Sequence, residues 1–257
     1  MSSLFIAVLL AFLMLLAAAA GAAWSARHRT IAGNSESQSS LSAVETGLFG
    51  LLGLLLAFTF SGAASRFDNR ASLLVDAANA LHACILRADL YPAAERAELR
   101  HDLRLYLDTQ IAFYDQEHDT AARLAIIQRS DLLQQQMWTR VTGWSREPAN
   151  SLATTQTINA LDRAFSLAAS RQIASQARLP NTIVWLLFIM AIATAYTSGY
   201  VHGGNGRFSW SGYLGFSLLT AMVVYVTLDL DNPGQGLIRR DVQEYSFTAL
   251  RALLATP

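Results

Sequence analysis

The chain is 257 residues long, and 53% of them are hydrophobic against only 15% charged, well under the roughly 25% charged usual for soluble domains. Formal net charge is zero, from 19 basic and 19 acidic residues, so there is no one-signed field to recruit nucleic acid or an acidic substrate. Every basic residue is Arg and Cys84 is the single cysteine, which excludes Lys nucleophiles, P-loop chemistry, an internal disulfide framework and a Cys-based zinc cluster.

From Leu4 to Trp24 the chain carries no charge, and about twenty apolar residues at 1.5 Å each cross a hydrocarbon core of about 30 Å. The segment Met1-Ser2-Ser3 lacks the positive n-region of a cleaved signal peptide, so this run is read as a first span. A second run, Thr46 to Ala64, is rich in Gly and Leu and ends at Arg66, Asp68 and Arg70, read as the exit into water. Two more runs, Thr182 to Val201 after Pro180 and Ser211 to Leu228, complete four spans. The connection between them holds Gly203-Gly204-Asn205-Gly206, a turn signal that predicts an antiparallel hairpin. Trp24, Trp185, Trp210, Tyr200 and Tyr213 fall near span ends, where amphipathic rings favour the headgroup layer.

With four spans, both termini and the long middle segment share one side. Arg66, Arg70, Arg171, Arg178, Arg239 and Arg240 flank the membrane there, against Arg27, Arg29 and Arg207 on the other, so the positive-inside rule makes that side cytoplasmic. The first span's own flanks point the opposite way. The summed bias of the later spans decides the orientation.

Between Phe67 and Leu179 the pattern is helical. Leu99, Leu103, Tyr106, Leu107, Ile111 and Tyr114 recur at intervals of three and four, while the charges of the run Glu95 to Asp108 fall mostly on the remaining, solvated faces. Breaks at Tyr91-Pro92, near Gly143 and at Pro148-Ala149-Asn150 predict about four helices, with Ser151 the candidate N-cap of the last. Cys84 reads as a small packing residue. No stretch alternates with period two, so the stripes must be buried in a helical bundle, within one chain or between subunits. The fold class is therefore an all-α membrane protein, with two N-terminal and two C-terminal transmembrane helices flanking a long cytoplasmic helical bundle.

Catalytic chemistry is not legible. His82, His101 and His118 occupy different turns, Glu117-His118-Asp119 point in different directions on a helix, and no HExxH, GxSxG or glycine-rich phosphate loop is present. No enzyme activity, cofactor or metal is expected. No charged residue interrupts a span; Glu45 sits at an entrance and the deeper polar groups include Thr59, Ser61, Thr194 and Thr220. The ionisable relay of a proton-coupled transporter is missing, and the two halves show no internal repeat.

The most specific local signal is the second span and its continuation, Leu51-Leu52-Gly53-Leu54-Leu55-Leu56-Ala57-Phe58-Thr59-Phe60-Ser61-Gly62-Ala63-Ala64-Ser65-Arg66-Phe67-Asp68-Asn69-Arg70. It resembles the bestrophin channels, and the whole layout resembles the bacterial bestrophin-like domain proteins of unknown function. In those the fourth span ends in an Asp-Leu-Asp-x-Pro-x-x-Gly pattern, here Asp229-Leu230-Asp231-Asn232-Pro233-Gly234-Gln235-Gly236. The resemblance implies a homopentamer in the bacterial inner membrane, passing small inorganic ions through an axial pore lined by the second span. By position Phe58 would stand at a hydrophobic neck, with Leu54 one turn earlier and Gly50 or Leu51 a turn before that; Phe60 is the rival if the register shifts. Arg66, Asp68 and Arg70 would form the vestibule, the arginines favouring anions and Asp68 with Asp229 and Asp231 opposing them. Asp229, Asp231, Pro233 and Gly236 would make the membrane-end motif, the two carboxylates anchoring the span's end through Arg66 or Arg70. Gly236-Leu237-Ile238-Arg239-Arg240 stands where animal bestrophins carry the acidic cluster of a calcium clasp, and two carboxylates fall short of the six to eight oxygens calcium takes.

The corresponding segments are 1–66 for the first two spans, 67–179 for the cytoplasmic helices, 180–230 for the last two spans and 231–257 for a cytoplasmic tail. Besides the channel, one other function class fits: a membrane-anchored interaction or sensor protein whose helical bundle binds a partner.

Overall fold

The computed structural model describes residues 3–28, 35–115, 120–203 and 209–231, with Phe247, Leu250, Arg251 and Leu254 near the C-terminus. The described residues are almost wholly helical: α1 (Ser3–His28), α2 (Ser35–Ala88), α3 (Ala93–Asp115), α4 (Thr120–Trp144), a 3-10 turn at Pro148–Asn150, α5 (Ser151–Gln176), α6 (Asn181–Gly203) and α7 (Trp210–Asp231). Four of these stretches are long and apolar enough to cross a bilayer, and they contain the four runs read from the sequence. The chain divides into two compact units, Met1–Phe67 with Arg178–Arg239, and Asp68–Ala177 with Arg240–Pro257.

In the first unit, α1 buries Ala7, Leu10, Met14, Ala18 and Ser25, a three-and-four spacing that makes one stripe on a helix otherwise apolar all round. Leu4, Phe5, Val8, Phe12 and Leu16 remain exposed, the outward face expected of a helix solvated by lipid. The stripe packs on α6 with almost no side-chain spacer. A Cβ on Gly199 would collide with the Ala18 carbonyl, one on Gly203 with Ala22, and one on Gly21 with the Tyr196 carbonyl. Small residues four apart on facing helices let backbones touch, which supplies the dispersion contact that lipid-solvated helices need for association. Buried hydroxyls fit the same logic. Thr194 donates to the Met190 carbonyl at 2.7 Å and Thr227 to the Val223 carbonyl at 2.8 Å, so each satisfies its polar group within its own helix. Ile183 N–H donates to the Pro180 carbonyl at 2.9 Å, so α6 starts at the proline signal.

In the second unit, the C-terminal part of α2 contributes Leu74, Leu81, Cys84 and Ile85 to a core shared with Leu99, Leu103, Tyr106 and Leu107 of α3, Met137 and Val141 of α4, Leu161 of α5, and Phe247, Leu250 and Leu254. The α3 stripe is therefore the buried face the spacing predicts. Tyr91 ends the preceding turn, donating to Thr154 Oγ1 at 3.2 Å and packing its ring 5.0 Å from Trp144.

Three expectations need correction. Helix α2 does not stop at Arg66 but continues as one element of 54 residues, about 80 Å at 1.5 Å per residue. Ser151 is not the N-cap of α5. Asn150 holds that position with no side-chain cap bond, because the 3-10 turn beginning at Pro148 leads directly into the helix and the Asn150 amide donates instead to Glu147 at 3.1 Å. Asp102, read with the solvated charges, is 1% exposed, drawn in by Arg140 Nε at 3.3 Å and the Gln136 amide at 3.3 Å. Glu117, His118 and Asp119, and the glycine-rich connection at 204–206, lie outside the described residues.

Candidate functional site

The geometry of α2 is set by a seven-residue seam. Glu45, Leu52 and Thr59 are buried at intervals of seven, joined by Ala63, and seven residues advance a helix by about 700°, nearly two full turns. Arg66 falls next in the same series. This side of α2 meets the other helices of its unit: Leu52 joins Leu10, Met14, Leu187 and Val224 in the core, and Phe49 packs edge-on to Phe216 of α7 with centroids 5.0 Å apart. Thr59 donates to the carbonyls of Leu55 and Leu56 at 2.8 and 3.0 Å, which leaves its methyl to the packing.

Well around the helix from that seam lies a second row. Leu51 is 57% exposed, Leu54 54% and Phe58 68%, while a Cβ on Gly50 would have no neighbour within 4 Å. In its most apolar stretch only 11% of α2 is buried, so the four residues assigned by resemblance to a neck share a face that the chain's own helices leave uncovered. Phe60 is also exposed, at 41%, but two residues place it about 200° from Phe58.

Beyond this row the charges begin. Arg66 donates from Nε to Asp231 Oδ1 at 2.9 Å, and Asp231 Oδ2 accepts the Leu179 N–H at 2.7 Å. Asp231 is only 5% exposed, so one buried carboxylate joins α2, the end of α7 and the entry to α6. It sits where a helix N-terminus favours negative charge. Asp229 is buried as well, Asp68 is exposed and Arg70 is half-buried. Pro233 and Gly236 lie outside the described residues. The structure thus brings Arg66 and Asp231 together, as the anchoring reading of the two carboxylates anticipates. At the other end of α2, Glu45 lies 3.6 Å from His202 Nδ1, which also lies 3.1 Å from the Ser198 carbonyl.

Sequence reading missed the role of Leu179, because a backbone N–H leaves no trace in the residue type. The seam of α2 was readable from the spacing of Glu45, Leu52, Thr59 and Arg66, four residues of four chemical kinds that only their period connects. Among the described residues no group of three or more His, Cys, Asp or Glu is placed to hold a metal ion.

A family model for the bestrophin-like domain matches residues 13–241. The chain belongs to the bestrophin-like family. Its fold is that of a solved bestrophin: a point-mutant crystal structure of a bacterial bestrophin homologue from Klebsiella pneumoniae superimposes with a TM-score of 0.63 over 96% of this chain and 97% of the other, at 13% sequence identity. No curated protein sequence matches the bestrophin-like chain. The family resemblance seen in the second span is therefore borne out across nearly the full length, and the protein is an all-α membrane protein of bestrophin type.

Proposed function

We propose that this bestrophin-like protein is a passive ion channel: a ring of identical subunits, five by resemblance, conducting small ions through an axial pore lined by α2. The observation that carries the reading is the uncovered row of Gly50, Leu51, Leu54 and Phe58. In a ring this row forms a neck of apolar side chains, and a narrow apolar constriction stops ions by dewetting without presenting charge to them. Arg66, Asp68 and Arg70 follow about 12–18 Å along the helix as the vestibule. With Arg66 committed to Asp231, the vestibule's sign depends on Asp68 and Arg70 in turn. Asp229, Asp231, Pro233 and Gly236 anchor the membrane end of α7 in this reading.

The arginine bias supports placing 67–179 and the tail 231–257 in the cytoplasm, with both termini there and the spans 1–66 and 180–230 in the bacterial inner membrane. The lipid bilayer and small inorganic ions are then the protein's partners, and no catalytic step is involved.

The deciding experiment combines native mass spectrometry of detergent-purified protein with ion flux from proteoliposomes. A pentamer that dissipates an ion gradient supports the channel. A stable monomer or dimer without flux removes the axial pore and moves the membrane-anchored interaction protein to first place.

A further inference from the structure

The helical unit holds a cleft between α3, α4 and α5 with a volume of about 70 Å³, several times the ~10–15 Å³ that admits a single water. One wall is polar and inaccessible to bulk water: Arg171 is 5% exposed, Gln110 7% and Ser130 8%. Gln110 donates from Nε2 to Ser130 Oγ at 3.0 Å, and Gln134 Nε2 reaches the same oxygen at 3.4 Å and the Tyr106 hydroxyl at 3.2 Å. Gln110 Oε1 stands 3.5 Å from Arg171 Nη1, the outer limit of a hydrogen bond and a contact that a stronger acceptor displaces. The Phe247 ring lies over the guanidinium at 5.2 Å; a ring on that face leaves the in-plane N–H fork for acceptors. The opposite wall is apolar and includes Phe113 and Phe165.

We propose that this cleft binds a small organic monocarboxylate, its carboxylate on Arg171 and Ser130 and its carbon body against Phe113 and Phe165. Arginine's planar fork matches a carboxylate, and the charge-assisted bond is strengthened by burial. The aromatic wall favours an organic body over a strongly hydrated inorganic anion. The volume is about half of the ~150 Å³ that accepts benzene, which limits the body to a few carbons. Asp131 also lines the cleft and is solvent-exposed, so a second negative charge on the ligand meets a carboxylate at the mouth. The site stands apart from conduction, since its occupancy is read in detergent with no gradient present.

Ligand-observed saturation-transfer NMR on the detergent-purified full chain tests it, with propionate as probe and propionamide as its neutral counterpart. Saturable propionate binding at or below about 1 mM, no saturation by propionamide, and at least tenfold weaker propionate binding in Arg171→Gln are expected. Ala168→Leu fills the cleft wall while leaving Arg171 in place, and it should abolish binding; this variant decides the matter if Arg171→Gln does not fold. Equal binding of the amide, unchanged binding in Ala168→Leu, or no saturable propionate signal from the wild type would overturn the proposal.

Discussion

The guanidinium of Arg66 donates from Nε to the Asp231 carboxylate at 2.9 Å, tying the middle of the longest helix to the last turn of α7. The other carboxylate oxygen holds the Leu179 N–H, so the anchor has three arms. Removing one member of a buried ion pair strands the other in a poorly solvated site, at a cost of about 3–5 kcal/mol. Asp231→Ala should therefore lower the thermal midpoint of the detergent-solubilised protein strongly. Asp231→Asn, which keeps an acceptor for Leu179, should lie between Ala and wild type. Equal melting of all three would show that the junction contributes nothing.

The two kinds of glycine in the membrane helices should respond oppositely to one methyl group. Gly199→Ala pushes a Cβ into the Ala18 carbonyl, which rigid backbone cannot avoid; overpacking of this kind costs about 1–3 kcal/mol or more. Gly50→Ala meets nothing within 4 Å and should leave the stability of the chain unchanged or slightly improved. Denaturation by SDS, followed by circular dichroism, separates the two. A tolerant Gly199 would mean that α1 and α6 are less closely packed than described.

Phe58 is the residue on which the neck proposal is most exposed to test. At 68% exposure its truncation should change chain stability by less than about 0.5 kcal/mol. Conductance is another matter: shortening the apolar constriction lowers the dewetting barrier, so Phe58→Ala should raise ion flux severalfold in reconstituted vesicles, and Leu54→Ala to a smaller degree. Flux that is unchanged in Phe58→Ala but altered in Phe60→Ala would shift the register of the pore face.

Asp102 gives a pH signature in the helical unit. Burial holds its carboxyl above the ordinary value of 3.8 in spite of the Arg140 guanidinium beside it. A carboxyl whose folded value is raised binds its proton more tightly when folded, so its contribution to stability is greatest below the unfolded value and is lost as pH rises through the folded one. Asp102→Asn removes that dependence, while Glu98 still holds Arg140 at 2.6 Å. The melting-temperature difference, wild type minus variant, should fall as pH climbs from below 3.8 toward neutrality. A difference that grows over that range would reverse the assignment.

The four spans were legible because a charge-free run of that length has few other readings, and the α3 stripe because its period is unbroken. The continuity of α2 was not. Arg66, Asp68 and Arg70 signal departure from lipid, but nothing in them breaks a helix, so the same residues serve equally as an exit or as further turns. Asp102 was hidden for a related reason: its burial depends on Arg140 and Gln136, more than thirty residues away. The Gly199/Gly203 pair was visible as a small-residue repeat, yet its partners Ala18 and Ala22 sit in an alanine-rich run where many registers look alike. Of the candidate site, residue types and spacing marked the exposed row on α2, whereas the Leu179 arm of the Asp231 junction depends on backbone placement alone.

The intimate α1–α6 contact has a consequence for biosynthesis. Helix α6 begins about 150 residues after α1 ends, and at translation speeds of roughly 5–20 residues per second its emergence lags by about 8–30 s. During that interval the small-residue stripe of α1, built to touch another backbone, has only lipid to face. The first helix to be synthesised is thus the one whose assembly must wait for nearly the whole chain, and the Gly199 variant should leave insertion of α1 intact while blocking the later docking step.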